Sequence, residues 1–175
     1  MLSGQDQEHP LDDSVKIELA EAALAGGWAV AARTAELTAH LMARRDGPRG
    51  EADSIAFMAN EIIENAVKFR VPGAGPVTIT ARQTGRTLHF HVRNMAPPGA
   101  STALTQLRED MACKDAGTLL IERIEANALT SRDEGSGLGV LTLMSDYGAT
   151  IDWEVEPSDL DGMAAVTTHV RLPLD

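Results

Sequence analysis

Three polar residues of one segment, Glu61, Asn65 and Lys68, are spaced four and three positions apart. On a helix this spacing places their side chains on a single stripe. A carboxylate can orient or deprotonate a hydroxyl group, an amide oxygen can ligate a hard cation, and an ammonium group can meet phosphate charge. The stripe therefore suits a magnesium–phosphate site, and the simpler interpretation is a solvated helix face of mixed charge.

A second segment, residues 134–141, carries glycine at every other position, 135, 137 and 139, and leads into an apolar run. Backbone N–H groups at the start of a helix bind anions, and glycine lets a phosphate approach closely. A dinucleotide-binding fold would need an apolar strand before the loop, where residues 130–134 are polar, and a P-loop would need Lys-Ser or Lys-Thr after it. The remaining alternatives are a phosphate-binding loop and a plain glycine turn.

Together the two segments resemble the Bergerat ATP-binding fold of gyrase-type ATPases, Hsp90, histidine kinases and anti-sigma-factor serine kinases. Residues 61–68 look like its N box, an acid followed by Asn, Ala and Lys, and residues 135–139 look like its second glycine box, Gly-Ser-Gly-Leu-Gly. The resemblance extends over residues 13–174. It implies a two-layer α/β sandwich, with a mixed, mainly antiparallel sheet covered by helices on one face, that binds ATP and Mg²⁺.

The resemblance also implies roles for individual residues. Glu61 would be the catalytic or water-orienting acid, Asn65 the magnesium ligand and Lys68 the basic residue on the phosphate side. The triphosphate loop would include Gly135, Gly137, Leu138 and Gly139, and Thr167 would help to hold adenine.

One motif departs from the family pattern. The family usually has Asp-x-Gly-x-Gly after the second strand of the hairpin, and here Asn94, Ala96 and Pro98 replace the Asp and both glycines. An Asn oxygen can still accept a hydrogen bond from the adenine amino group, but an uncharged amide is a weaker acceptor than a carboxylate. Two consecutive prolines also make the start of the lid stiffer.

The order of segments resembles the stand-alone serine kinases of bacterial partner switching, and residues 119–128 and 137–149 look like those of SiaB-type regulators. That resemblance implies transfer of a phosphoryl group from Mg-ATP to a Ser or Thr hydroxyl of a small regulatory protein, with Glu61 as the base. The alternative is a non-catalytic module of the same fold that works by binding a partner, which the replacements at Asn94, Ala96 and Pro98 favour. A homodimer is a further expectation.

Hydrophobic periodicity and turn residues predict the elements that position these residues. We expect strands at 15–19, 77–81, 88–92, 150–156 and 164–172. We expect helices at 28–44, 53–69, 101–128 with a break near 115–117, and 138–147, and Asp53 or Ser54 as the cap of the second. Residues 1–13 are expected to be a tail, and residues 14–175 one ATPase domain.

Composition restricts the function classes. The chain has 175 residues with a net charge of −11, which disfavours general nucleic-acid binding. A single cysteine, Cys113, excludes an internal disulfide and a four-cysteine zinc site. His89 and His91 share a strand face, and we expect a packed or solvent-facing pair rather than a metal site. The sequence has no apolar run of membrane-spanning length and no signal peptide, so we expect a cytoplasmic protein without membrane contact.

Overall fold

The computed structural model describes residues 14–44, 47–48, 50–130, 138–159 and 162–174. Within these ranges five strands form one sheet: β1 (Ser14–Leu19), β2 (Val77–Thr84), β3 (Thr87–Ala96), β4 (Thr150–Pro157) and β5 (Ala164–Pro173). The strand order is β1-β2-β3-β5-β4, and every neighbouring pair is antiparallel. The α/β sandwich is thus confirmed, but the described sheet is antiparallel throughout rather than mixed. The predicted tail, residues 1–13, lies outside the described residues.

Side chains alternate between the two faces of the sheet, as the period of a strand requires. The inner face is apolar and buried, with Phe90 opposite Val170 and Ile79 opposite Val92 at the centre of the core. The outer face carries polar and charged side chains. This one-sided burial is the reason for the alternation that the sequence shows in β1, β3 and β5.

The helices cover the inner face. They are α1 (Glu21–Leu24), α2 (Trp28–Met42), α3 (Glu51–Phe69), α4 (Ala100–Cys113), α5 (Ala116–Thr130) and α6 (Leu138–Asp146). α2 buries Ala31, Ala35 and Ala39 and packs chiefly against α3. Small side chains let the two helices approach closely. α3 buries an apolar stripe, and this fixes which of its side chains face away from the core; that stripe comprises Ile55, Met58, Ile62, Ala66 and neighbouring residues.

The N-terminus of α3 differs from the prediction. The helix begins at Glu51, after Gly50 in a left-handed conformation with φ of 98°, and neither Asp53 nor Ser54 caps it. Instead the Glu51 carboxylate is buried and accepts hydrogen bonds from the backbone N–H of Arg44 at 2.8 Å and from its Nη2 at 2.6 Å. This pairing compensates the desolvation of a buried charge, and it ties the end of the α2 segment to the start of α3.

The central hairpin is longer than predicted. β2 continues to Thr84 and β3 begins at Thr87, which leaves a two-residue turn containing Gly85 with φ of 59°. β3 also continues past position 92 to Ala96, directly before the proline pair. This extension keeps Asn94 within the sheet, on its inner face. None of the helices in the described ranges combines the length and apolarity needed to cross a bilayer.

Candidate functional site

A cleft of about 480 Å³ opens between α3, α4 and the inner face of the sheet. This size lies in the range of small-molecule sites. The α3 wall is formed by Asn65, Ala66 and Phe69, and the opposite wall by α4 residues that include Leu104 and Leu107. The floor comes from the last three strands of the sheet, and its residues are Asn94, Ala96, Trp153, Val166 and Thr168.

The chemistry of the cleft is apolar with a few polar groups. Among its lining residues the hydrogen-bonding or charged side chains are Asn65, Asn94, Thr168, Arg123 and the indole N–H of Trp153. This composition suits a flat apolar ligand that is oriented by a small number of hydrogen bonds. A second groove, of about 240 Å³ between α4 and α5, is smaller, and Lys114 and Glu122 in its lining already pair with each other at 2.7 Å.

α3 and α6 meet at the end of the cleft. A Cβ atom added to Gly139, the second residue of α6, would overlap the carboxyl group of Glu61. One turn earlier on α3, the ring of Phe57 stacks on Tyr147 just beyond α6, with ring centroids 5.2 Å apart. Glycine at position 139 therefore lets the Glu61 carboxyl group lie against the first turn of α6. Asn65, one turn further along α3, lines the cleft.

The environment of Glu61 changes its acidity. Burial raises the pKa of the Glu61 carboxyl above its ordinary value, and the nearby carboxylate of Glu64 raises it further. A carboxylate with a raised pKa is a stronger base than an exposed one. Glu64 itself accepts a hydrogen bond from Asn60 Nδ2 at 3.0 Å. The structure thus places a half-buried, more basic carboxylate beside the amide of Asn65.

Lys68 is not brought into the cleft. Its side chain is exposed, and its Nζ lies 5.2 Å from the centroid of the Phe69 ring, which itself lines the cleft. The ammonium group is therefore held at the outside of the cleft mouth by a cation–π contact. A role on the phosphate side requires the lysine to leave this position.

The structure brings Asn94 into the cleft and leaves Thr167 outside it. Asn94 is 6% exposed, and its Nδ2 donates to the carbonyl of Met95 at 3.3 Å. Thr167 pairs with Arg93 and Glu154 on the outer sheet face, where its Oγ1 accepts a hydrogen bond from Arg93 Nη1 at 3.3 Å. The next residue, Thr168, lines the cleft. The assignment of Thr167 to the cleft is corrected to Thr168, because a shift of one residue in a strand changes the face.

The glycine loop is described only at its end. Gly135 and Gly137 lie outside the described residues. Leu138 begins α6 and is half-buried, and Gly139 contacts Glu61 as above. The described part therefore places the C-terminal end of the predicted loop against α3.

Helix α4 closes one side of the cleft and is tied to the edge strand. Arg108 donates from Nε to the Asp152 carboxylate at 2.9 Å, and its Nη2 also reaches the carbonyl of Trp153. Burial raises the pKa of Asp152, but hydrogen bonds from the Trp153 N–H and from Arg108 outweigh it and hold that pKa below its ordinary value. The side chain of Trp153 lines the cleft beneath this contact. α4 thus has the position of a lid over the sheet.

Sequence reasoning missed several of these residues. The sequence motifs do not identify Trp153, Phe69, Arg123 or Thr168 as residues of the cleft. The alternation of Val166, Thr168 and Val170 with polar residues could have identified the inward-facing threonine. No sequence signal identifies Arg123, because its position depends on how α5 folds over the cleft.

Other candidates from the sequence lie outside the cleft. Cys113 is exposed, and Trp28 is 55% exposed. His89 and His91 lie on the outer sheet face, as the solvent-facing interpretation predicts. Among the described residues no group of three or more His, Cys, Asp or Glu side chains is arranged to hold a metal.

Comparison with known proteins supports the fold. No protein-family model and no curated protein matches the sequence. The structure is similar to a solved structure of the SiaB–SiaC complex from Pseudomonas aeruginosa, with a TM-score of 0.62 and 12% sequence identity. The match covers 90% of this chain and 89% of that chain. At this identity the similarity shows a shared architecture over nearly the whole chain.

Proposed function

We propose that this protein binds Mg-ATP in the cleft and acts as a regulatory protein serine/threonine kinase of the Bergerat type. The observation that carries the proposal is the contact between the Glu61 carboxyl group and Gly139, beside Asn65 at the end of the cleft. It joins the two segments whose motifs resemble that family. Phosphoryl transfer needs positioning and charge stabilisation, and both can be supplied at this junction.

The adenine base would lie on the apolar floor of the cleft. Asn94 donates its Nδ2 hydrogen to the protein backbone, so its Oδ1 is the atom to accept from the adenine amino group. The hydroxyl of Thr168, on the neighbouring strand, would take the role that the sequence assigned to Thr167. The aromatic face of Trp153 and the aliphatic side chains of α4 would exclude water from the base.

The phosphate chain would extend toward the α3–α6 junction. Mg²⁺, when bound, would neutralise phosphate charge and hold the β- and γ-phosphates in place. Asn65 fits as its protein ligand, because Mg²⁺ at nucleotide sites usually takes one or two protein oxygens in addition to phosphate oxygens and water. The loop that includes Gly135, Gly137 and Leu138 would supply backbone N–H donors, with Gly139 allowing the close approach.

Glu61 is the proposed base. Its carboxylate would accept the proton of the incoming Ser or Thr hydroxyl while that oxygen bonds to the γ-phosphorus. The bond between the γ-phosphorus and the β–γ bridging oxygen breaks, and ADP leaves with the electron pair. The raised pKa of Glu61 favours this proton transfer. Lys68 would have to turn from Phe69 toward the phosphates to contribute.

The accepting hydroxyl would belong to a small regulatory protein. The similar solved structure is a complex of two proteins, SiaB and SiaC, which supports a function exercised on a protein partner. We place this function in the cytoplasm, where ATP is abundant. A homodimer is also proposed, through exposed Trp28, Leu37 and Leu41 of α2, and sedimentation would test it.

A second candidate function is a non-catalytic interaction module. The replacement of the family's Asp by Asn94, followed by Ala96 and Pro98 in place of glycines, favours it. Such a module would bind the partner equally well with and without nucleotide.

Thermal melting in the presence of Mg-ATP, Mg-ADP and Mg-GTP separates the two candidates. Binding at a concentration 100-fold above Kd stabilises the folded state by about 2.7 kcal/mol. If Mg-ATP shifts the melting temperature, the protein is next incubated with γ-³²P-labelled ATP and proteins from the source cell. One of those proteins should then become labelled on Ser or Thr. The absence of any shift at millimolar nucleotide would leave the interaction module.

A further inference from the structure

The three central strands of the sheet, β2, β3 and β5, carry basic side chains on the outer face and no acidic ones. The strand registers place His89 beside Arg171 and His91 beside His169 at its centre. On the other side of β3, Arg82 pairs with His89. The chain carries a net charge of −11, so a block of basic side chains on three adjacent strands locally reverses the sign of the surface charge. We call His89, His91, His169 and Arg171 the basic sheet face.

These side chains are close enough to influence one another. The rings of His91 and His169 meet edge to face with centroids 4.6 Å apart. Burial lowers the pKa of His91, and His169, His89 and Arg171 each lower it further. Acidic side chains lie on the strands at the two sides, and those on β4 already face cations: Asp152 binds Arg108, Glu156 binds Arg93 and Glu154 lies 3.4 Å from His169.

We propose that the basic sheet face is a docking surface for an acidic segment of a second protein. This site is separate from the cleft, which lies on the other side of the sheet, so both can be occupied together. The proposal therefore does not depend on ATP binding.

The width and borders of the face favour an acidic polypeptide over a nucleic acid. Together with Arg82 on β2, the face spans three adjacent strands, about 10 Å at the usual strand spacing. Glu18 on β1 and Asp152 and Glu154 on β4 border it. These acids limit the basic surface to this width, whereas nucleic-acid binding needs a broader basic surface that can neutralise many phosphates. A single extended peptide with acidic side chains fits between the borders.

Docking should strengthen as the histidines become protonated. Each imidazolium that forms adds a positive charge facing the peptide carboxylates. The charged and titratable groups that face His91 and His169 from the neighbouring strands are Lys16 on β1, Arg82 on β2, His89 and Arg93 on β3, Arg171 on β5, and Asp152 and Glu154 on β4. Most are basic, and burial together with this basic surrounding lowers the pKa of His91, so a bound anion would oppose the effect of its neighbours.

The experiment measures binding of a fluorescein-labelled oligoglutamate peptide to the full chain by fluorescence anisotropy at low salt. We expect saturable binding that is tighter at about pH 5.5 than at about pH 8. The double variant H169Q/R171Q should weaken it about tenfold at the lower pH, as expected for the loss of two exposed charge pairs. The double variant R33Q/H40Q removes the same two residue types from the exposed surface of α2 and should leave binding unchanged.

Four results would overturn the proposal. The first is no peptide binding at either pH, and the second is an equal loss of peptide affinity in the two double variants. The third is tighter binding of a single-stranded DNA oligonucleotide than of oligoglutamate. The fourth is peptide binding only in the variant D6N/E8Q/D12N/D13N, because the occupant would then be the chain's own acidic N-terminal segment. Circular dichroism of each variant confirms that it is folded before binding is compared.

Discussion

The carboxyl group of Glu61 occupies the space that a side chain at position 139 would fill, so Gly139 and Glu61 depend on each other. This contact joins α3 to the first turn of α6. It is the physical link between two segments that are more than seventy residues apart in the sequence, and the proposed phosphate site depends on it.

Gly139→Ala should move the Glu61 carboxyl group out of its present position, because the added methyl group and the carboxyl cannot share the space. Since the carboxyl is the end of a flexible side chain and alanine is the better helix former, the net destabilisation should be no more than about 1 kcal/mol. In a Glu61→Ala background the same substitution should be neutral or stabilising by up to about 1 kcal/mol, because alanine is the better helix former. Chemical denaturation of the four proteins in this cycle measures the coupling. Equal effects of Gly139→Ala in both backgrounds would mean that the two residues do not touch.

Glu61→Gln should abolish phosphoryl transfer and keep nucleotide binding. It should also raise the melting temperature at neutral pH. Because the folded-state pKa of Glu61 is raised, ionisation of this carboxyl group opposes folding. The gain in stability from Glu61→Gln should therefore be absent below about pH 4.3 and should appear as the pH rises through the folded-state pKa. Melting curves across this pH range test it. A variant that transfers phosphate at the original rate would remove Glu61 as the base.

Asn65→Ala should remove the magnesium-dependent part of ATP affinity, because the cleft loses the proposed ligand. Asn60→Ala is the matched control on the same helix, since Asn60 bonds to Glu64 and does not line the cleft. Isothermal titration of ATP with Mg²⁺ and with EDTA compares the variants. The role of Asn65 fails if both variants keep the magnesium dependence of the original chain.

Thr168→Val should weaken ATP binding about tenfold, the effect of one lost hydrogen bond in a dry site. Thr167→Val removes the same atom from the outer face of the sheet and should leave ATP affinity unchanged. The two isosteric substitutions differ by one position and by one face. If Thr167→Val is the damaging one, the placement of the adenine site is wrong.

Glu51→Gln should lower stability by about 2 kcal/mol, roughly 4–8 °C in melting temperature for a chain of this size. The hydrogen bonds from the Arg44 side chain lower the pKa of Glu51, so its contribution is present above the unfolded-state pKa of about 4.3. That contribution is lost as pH falls through the folded-state pKa. Glu36→Gln on the exposed surface of α2 is the control. If the stability difference between Glu51→Gln and the original chain persists in acid, the ion pair is not its cause.

Much of the fold could be predicted from the sequence because it depends on periodicity. The apolar stripe of α3 fixes the face on which Glu61 and Asn65 lie, and the strand alternation fixes which side of the sheet is buried. The start of α3 could not be predicted, because it depends on the long-range pairing of Glu51 with Arg44. Motif matching pointed to Thr167, whereas strand alternation places Thr168 on the side of the cleft. The position of α4 rests on the packing of Leu104, Leu107 and Met111 against the core, with the exposed Arg108–Asp152 contact in addition, and no local pattern indicates where these contacts fall.

The central claim is that a nucleotide occupies the cleft whose floor includes Trp153. In a Trp28→Phe variant, which removes an exposed tryptophan outside the cleft, Trp153 is the only remaining tryptophan of the chain. Titration of this variant with Mg-ATP, followed by tryptophan fluorescence, should give a saturable change that Thr168→Val shifts to higher concentration. Unchanged Trp153 emission up to millimolar Mg-ATP, in a protein that is folded by circular dichroism, would contradict the account.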